Sequence, residues 1–425
     1  MWYRDARECP GRLPAPQANR EWWTMTSILP AAGRLTCLAV VGAMLSAFVA
    51  GPVMAQESDR AFALDAARGD AGDQPSSQAG QDSAILTFFK DTELSGFVDM
   101  YYGYNFNRPR TGLAQLRNFD VQHNSFSINL AEISLNKVPT ADSRGGFRLD
   151  LDYGPTAATV HASEPGTSGV FQNLGQAYLS YLAPAGHGLQ FDLGAFVTQH
   201  GNEVIKTKDN WNYSRSLLFA LAIPYYHMGA RVTYPFSSRF TLAGVVVNGW
   251  NNILDNNTGK TVGIQAVVKP VSALTIVQNY MGGPEQNDNN QDWRHLSDTT
   301  VTYTAGSRLA LAANGDYGID RVAGVRVAWR GVAGYARYQA NGWLAAASRF
   351  EYYDDRNGVT TGTAQKVKAV TLTGEVKRRD GVLMRVEYRR DVSNVPFFLK
   401  NAAEMVKSQD TFTVGLVYAF STKAP

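Results

Sequence analysis

After Ser95 no uncharged run is long enough to cross a membrane as a helix, yet the chain repeats a pattern that can cross one. Segments of about ten residues alternate apolar and polar side chains, and a period of two puts the two sets on opposite faces of an extended strand. Residues 146–153 set Phe147, Leu149, Leu151 and Tyr153 against Arg148, Asp150 and Asp152. Residues 382–390 set Val382, Met384, Val386 and Tyr388 against Leu383, Arg385, Glu387 and Arg389. Residues 189–197 and 412–420 repeat the pattern, with Leu193 and Leu416 on the apolar side. Any one such strand would suit a soluble sandwich. The series has to be judged by its connections.

Those connections alternate short and long. Pro- or Gly-bearing links fall at 138–145, 183–188, 235–239, 270–273, 305–308, 341–342 and 379–381. Between them lie polar stretches at 107–124, 154–170, 199–225, 252–260, 282–297, 318–325, 354–365 and 391–409. Tight turns on one side and long loops on the other, with both termini on the tight-turn side, predict an all-β transmembrane up-and-down antiparallel barrel of about 16 strands. The range is 14–18, because 322–340 reads as one strand or two. Tyrosines near strand ends (Tyr101, Tyr102, Tyr104, Tyr153, Tyr181, Tyr234, Tyr280, Tyr352, Tyr353, Tyr388, Tyr418) fit the aromatic bands at a membrane's two surfaces. Closure also removes sheet edges, which a hydrocarbon solvent does not tolerate.

The N-terminus addresses the chain to the cell envelope. Residues 35–50 carry no charge, follow Arg34, and precede Val53-Met54-Ala55, so 1–55 reads as a secretory signal cut before Gln56, with Met25 as its start. Residues 56–93 read as a periplasmic linker with a short helix near 84–89, 94–420 as the barrel, and 421–425 as a tail. Both cysteines, Cys9 and Cys37, precede the cut, so the mature chain needs no oxidative folding. Removing five Arg and three acids of the leader from 40 bases and 37 acids leaves 35 against 34, a balance that gives no argument for a nucleic-acid partner.

Several stretches carry a resemblance: GFVDMYYGYNFNRP (96–109), LRNFDVQHNSFSINLAEISL (116–135), GFRLDLDYGPTA (146–157), TKDNWNYSRSLLFALAIPYYHMG (207–229) and VNGWNN (247–252). The segments at 331–343 and 350–358 extend it. Together they resemble the OmpL-like β-barrel porin family over about 94–420. The resemblance implies the outer membrane of a Gram-negative bacterium and a porin-like role. It implies as partners membrane lipid, lipopolysaccharide, the barrel-assembly machinery and small hydrophilic solutes, with a homo-oligomer left open.

The candidate pore-lining residues are Arg148, Asp150, Asp152, Arg349, Glu351, Arg385, Glu387 and Arg389, all on the polar sides of strands. In a wide aqueous lumen they would stay solvated and ionised; in a plugged one they would pair. The candidate constriction loop is 199–225, with Lys206, Lys208, Asp209, Trp211, Tyr213 and Arg215 ahead of an apolar Leu217-Leu218-Phe219-Ala220 end that favours folding inward. Its basic residues imply a modest anion preference, and Arg385→Leu is expected to fold normally. Gly259-Lys260-Thr261 lacks the first glycine of a phosphate loop. The acidic 285–292 stretch lacks cation-loop spacing and reads as a solvated loop. Six scattered histidines show no metal-ligating spacing, so no metal, cofactor or catalytic residue is assigned. The rival reading, a lipid-modifying enzyme, would rest on Ser125 and His123, two residues apart; a barrel with a structural or adhesive role is the other alternative.

Overall fold

The computed structural model describes residues 91–164 and 169–423. The readings of the leader, of most of the linker and of its short helix fall outside these residues.

The alternating segments become strands numbered in chain order. Paired by their tight turns they are β2 (Ser125–Lys137) with β3 (Gly145–Tyr153), β4 (Leu174–Ala183) with β5 (Leu189–Val197), and β6 (Tyr226–Ser237) with β7 (Phe240–Val247). Then come β8 (Thr261–Val271) with β9 (Leu274–Gln286), β10 (Asn289–Ala305) with β11 (Leu309–Val322), β12 (Val325–Gln339) with β13 (Leu344–Asp355), and β14 (Gln365–Lys377) with β15 (Val382–Ser393). The loop after β15 holds a small hairpin, β16 (Phe398–Lys400) and β17 (Glu404–Val406). The last strand, β18 (Ser408–Ser421), pairs with both β15 and β1 (Glu93–Asn105). Sixteen strands thus close into one antiparallel barrel, the first sealed to the last from Ser95↔Ser421 to Asn105↔Thr411.

Alternation decides which face each residue takes. Leu193 is 62% exposed on the outside while its neighbour Asp192 is 2% exposed inside, where Arg231 holds it at 2.7 Å. Leu416, Tyr418 and Phe420 are exposed on the outer face, and Thr413 and Val417 on the alternate face of the same strand are buried. This is the sidedness of a sheet whose outer solvent is lipid.

Three expectations need correction. Residues 282–297 and 318–325 are not long loops. There β9 and β10 run on to a turn at Asn287-Asp288, and β11 and β12 to one at Ala323-Gly324. Both turns use positive φ, 54° at Asp288 and 51° and 77° at Ala323 and Gly324, the backbone that matches a hairpin's twist. Polar composition suits a solvated hairpin as well as a loop, which is why it misled. The third concerns Tyr101 and Tyr353: both are buried inside the barrel, not set in the aromatic bands.

Candidate functional site

The loop between β5 and β6 enters the barrel. It turns inward, and its side chains and backbone bond to the wall around most of the circumference. A 3-10 turn (Thr207–Asp209) and a short helix, α1 (Leu217–Leu221), give it local order, with Ser216 capping the helix through Phe219 N–H at 3.0 Å.

Arginines of the wall seat the loop by taking its carbonyls. Arg385 donates to Thr207 O at 2.6 Å and to Asn210 O, while pairing with Glu375 at 2.8 Å. Arg349 donates to Ser214 O at 2.7 Å and to Glu203 at 2.8 Å, and pairs with Glu351 at 2.7 Å. Arg389 donates to Arg215 O at 2.7 Å and pairs with Asp391 at 2.8 Å. Carboxylates take the loop's amides in turn. Glu387 accepts Tyr213 N–H at 2.7 Å and Ser214 N–H at 3.0 Å, and Glu351 accepts Leu217 N–H at 2.5 Å. A guanidinium and a carboxylate therefore share each anchor, so neither is buried uncompensated.

The opposite wall holds the loop's tip. Lys206 bridges Glu132 at 2.7 Å and Asp150 at 3.0 Å, and Asp150 also takes Arg148 at 3.0 Å, Ser134 at 2.5 Å and Gln176 at 2.7 Å. Asp152 is buried beside them, and its carbonyl accepts from Asn173 at 2.6 Å. Asp99 accepts from Thr207 Oγ1 at 2.7 Å, Asn129 at 2.7 Å and Tyr213 OH at 2.8 Å. Lys208 pairs with Asp209 at 2.9 Å, Trp211 meets Tyr335 edge-on at 6.4 Å, and the Arg215 guanidinium lies 4.6 Å over Phe119. Gly415 leaves the space for Tyr213: a Cβ there would come 2.2 Å from its ring.

Beneath these polar anchors the helix end is packed in apolar side chains. Leu217, Leu218, Phe219 and Ile223 of the loop meet Phe196, Val245, Trp329, Tyr335 and Tyr353 of the wall. The expectation that the eight candidate lining residues stand in open water is therefore not met. Seven of them are buried and Arg148 is partly buried; all face inward. Sequence reasoning passed over Asp99, Glu132, Glu203 and Glu375. Asp99 had a signal, a lone acid between Val98 and Met100. Glu203 had none.

The loop's first turn carries a histidine relay. His227 Nδ1 bonds Gly249 O at 2.9 Å, its Nε2 meets Thr198 Oγ1 at 3.1 Å, and Thr198 meets His200 Nδ1 at 3.2 Å. His200 Nε2 is buried without a partner among the described residues, and burial pushes this group down to about 4 against the pull of Asp298. The rival Ser–His couple does not form: His123 Nδ1 accepts Asn105 N–H at 2.9 Å, while Ser125 Oγ donates to Phe126 O at 3.3 Å.

A family model described as "Putative beta-barrel porin-2, OmpL-like" matches residues 91–420. The chain belongs to this family. It is an OmpL-like barrel of the Gram-negative outer membrane. No curated protein matches the sequence. Among solved structures it is similar to the outer membrane channel DcaP of Acinetobacter baumannii, at 11% identity and TM-score 0.52 over 77% of this chain and 97% of that one. It is also similar to OmpT of Vibrio cholerae in its trimer form (12%, 0.51, 77% and 99%) and to the anion-selective porin from Comamonas acidovorans (10%, 0.51, 77% and 99%). At these identities the OmpL-like barrel shares their fold, and its interior must be read from its own residues.

Proposed function

We propose that this OmpL-like barrel is a passive channel for small hydrophilic solutes, with the β5–β6 loop as its filter. The observation that carries the reading is the loop's place: a polar, hydrogen-bonded insert seated across the inside of a closed barrel whose outer face is apolar. Such an insert sets pore radius and lining charge together. The eight inward charges then act by holding the filter as much as by touching solute. A homo-oligomer is part of the proposal, supported by the trimer named for the Vibrio structure.

The apolar packing around Leu217 and Phe219 favours a second reading, a barrel that is closed at rest and serves a structural role. Planar-bilayer conductance of refolded protein separates the two. Deleting 206–216 should raise single-channel conductance severalfold while unheated protein still migrates as a folded barrel on a detergent gel. Unchanged conductance from a folded deletion mutant would place the filter elsewhere.

A further inference from the structure

One sector of the barrel's outward face, at the end away from the tight turns, is strongly basic. Arg321 on β11, Arg326 and Arg330 on β12, Lys366 and Lys368 on β14, and Arg390 on β15 are all exposed there. Their outward direction follows from alternation with buried inward neighbours, Asp320, Trp329, Val367 and Arg389. They flank aromatics of the same face, exposed Tyr317 and Tyr388 and half-buried Tyr352: Tyr317 lies opposite Arg330, Lys368 opposite Tyr352, and Arg390 two residues beyond Tyr388. Groups just past an aromatic band lie at the level of lipid headgroups.

The cations are placed where they repel one another. Arg321 and Arg326 are direct cross-strand partners, and Lys366 and Lys368 are two apart on one face, about 7 Å. Like charges in direct opposition destabilise a sheet unless something between them carries the other sign. Only Asp354 and Asp410 do so, pairing with Arg330 at 3.2 Å and Arg390 at 3.1 Å. Asp354 is also the cross-strand partner of Lys366, so one carboxylate serves two cations, while Arg321, Arg326 and Lys368 form no ion pair among the described residues. The rest of the rim is different. From β2 to β10 the matching outward positions hold residues such as Phe126, Tyr153, Val246, Val262 and Trp293, and Lys260 is already paired with Asp255. The basic sector runs over five strands, four spacings or about 19 Å, which suits a headgroup with more than one phosphate. Arginine forks match phosphate oxygens, and the exposed Tyr317, Phe350 and Tyr388 below offer a surface to acyl chains.

We propose that the outer end of β11–β15 is a docking surface for the phosphorylated disaccharide of lipid A, the anchor of lipopolysaccharide in the outer leaflet. The inference rests on the outer-membrane location and is independent of conductance. Refolded full-length protein in neutral detergent, titrated with purified lipid A, tests it. The variant Arg321→Gln/Arg326→Gln/Lys366→Gln/Lys368→Gln should bind lipid A at least tenfold more weakly, with unheated gel mobility and channel conductance unchanged. Arg239→Gln/Arg308→Gln, in turns at the opposite end, should bind as wild type does. Dephosphorylated lipid A should bind wild-type protein at least tenfold more weakly than lipid A does, an arm that holds even if the fourfold variant does not fold. Binding within twofold of wild type by the folded variant, or equal binding of dephosphorylated lipid A, overturns the proposal. So does equal competition by phosphatidylglycerol micelles, which would reduce the sector to general anion adsorption.

Discussion

Arg385 shows how far a single inward residue departs from a simple lining role. Alternation alone places it in water, where Arg385→Leu would be harmless. Instead the guanidinium is buried and holds two turns of the inner loop by their carbonyls while pairing with Glu375. Leucine would leave those carbonyls unpaired, at a cost on the order of 3 kcal/mol to loop seating. Glu375 keeps Arg337 at 2.7 Å and every strand bond of β15 survives, so the barrel should still close. The expected phenotype is normal unheated mobility with raised conductance; a variant that cannot fold would show the anchor to be part of the barrel itself. His200 supplies a pH dependence at the same scale. Facing it are Thr198, His227 and Asp298, and it is neutral in the folded loop, with its titration pushed to about 4 from an ordinary 6.5. Between those values an unseated loop binds more protons than a seated one, so seating weakens as pH falls from about 6.5 towards 4. Amide hydrogen exchange at Tyr213 and Ser214, corrected for the intrinsic rate at each pH, should accelerate over that window, and His200→Gln should flatten the response.

At the scale of elements, what could be read from sequence is what is local. Period two is a property of neighbours in one strand, so the faces of β3, β5, β15 and β18 follow from composition alone. A direct check is Leu416→Arg on the outward face of β18, which should cost about 2–4 kcal/mol near mid-membrane. Equal tolerance of arginine at Leu416 and at the inward Thr413 would void the face assignment. The inner loop's inward course was also legible, because an apolar Leu217–Phe219 end behind a polar stretch has nowhere to go in water. Its partners were not. Glu203 meets Arg349 across 146 positions of chain, and no spacing announces such a pair. The hairpin tips at Asp288 and Ala323 were hidden for a different reason: once a strand leaves the membrane its outward residues turn polar, and the alternation that marks it fades.

For the whole molecule, the question is what charge a solute meets. Counting only the loop's bases suggests a positive constriction, but the fold cancels them: Lys206 is taken by Glu132 and Asp150, and Lys208 by Asp209. Among the described residues Arg215 hydrogen-bonds carbonyls alone, Tyr213 O at 3.1 Å and Ile205 O. Against it stand carboxylates that form no ion pair among the described residues and accept hydrogen bonds from neutral groups. Asp99 has Asn129, Thr207 and Tyr213; Asp298 has Asn279, Asn314 and Gly201 N–H; Asp355 has the amides of Val359, Thr360 and Thr361. Hydrogen bonds hold such groups without cancelling their charge, and in a confined lumen that charge acts over a longer range than on an open surface. The channel should therefore prefer cations weakly, the reverse of what the loop's composition implies. The preference should fade towards neutrality as salt rises and screening shortens to about 3 Å at 1 M. Reversal potentials across a tenfold salt gradient read this directly, and Asp298→Asn should move the potential towards zero. An anion-selective potential that Asp298→Asn leaves unmoved would mean that solutes pass where Arg215, not these carboxylates, sets the field.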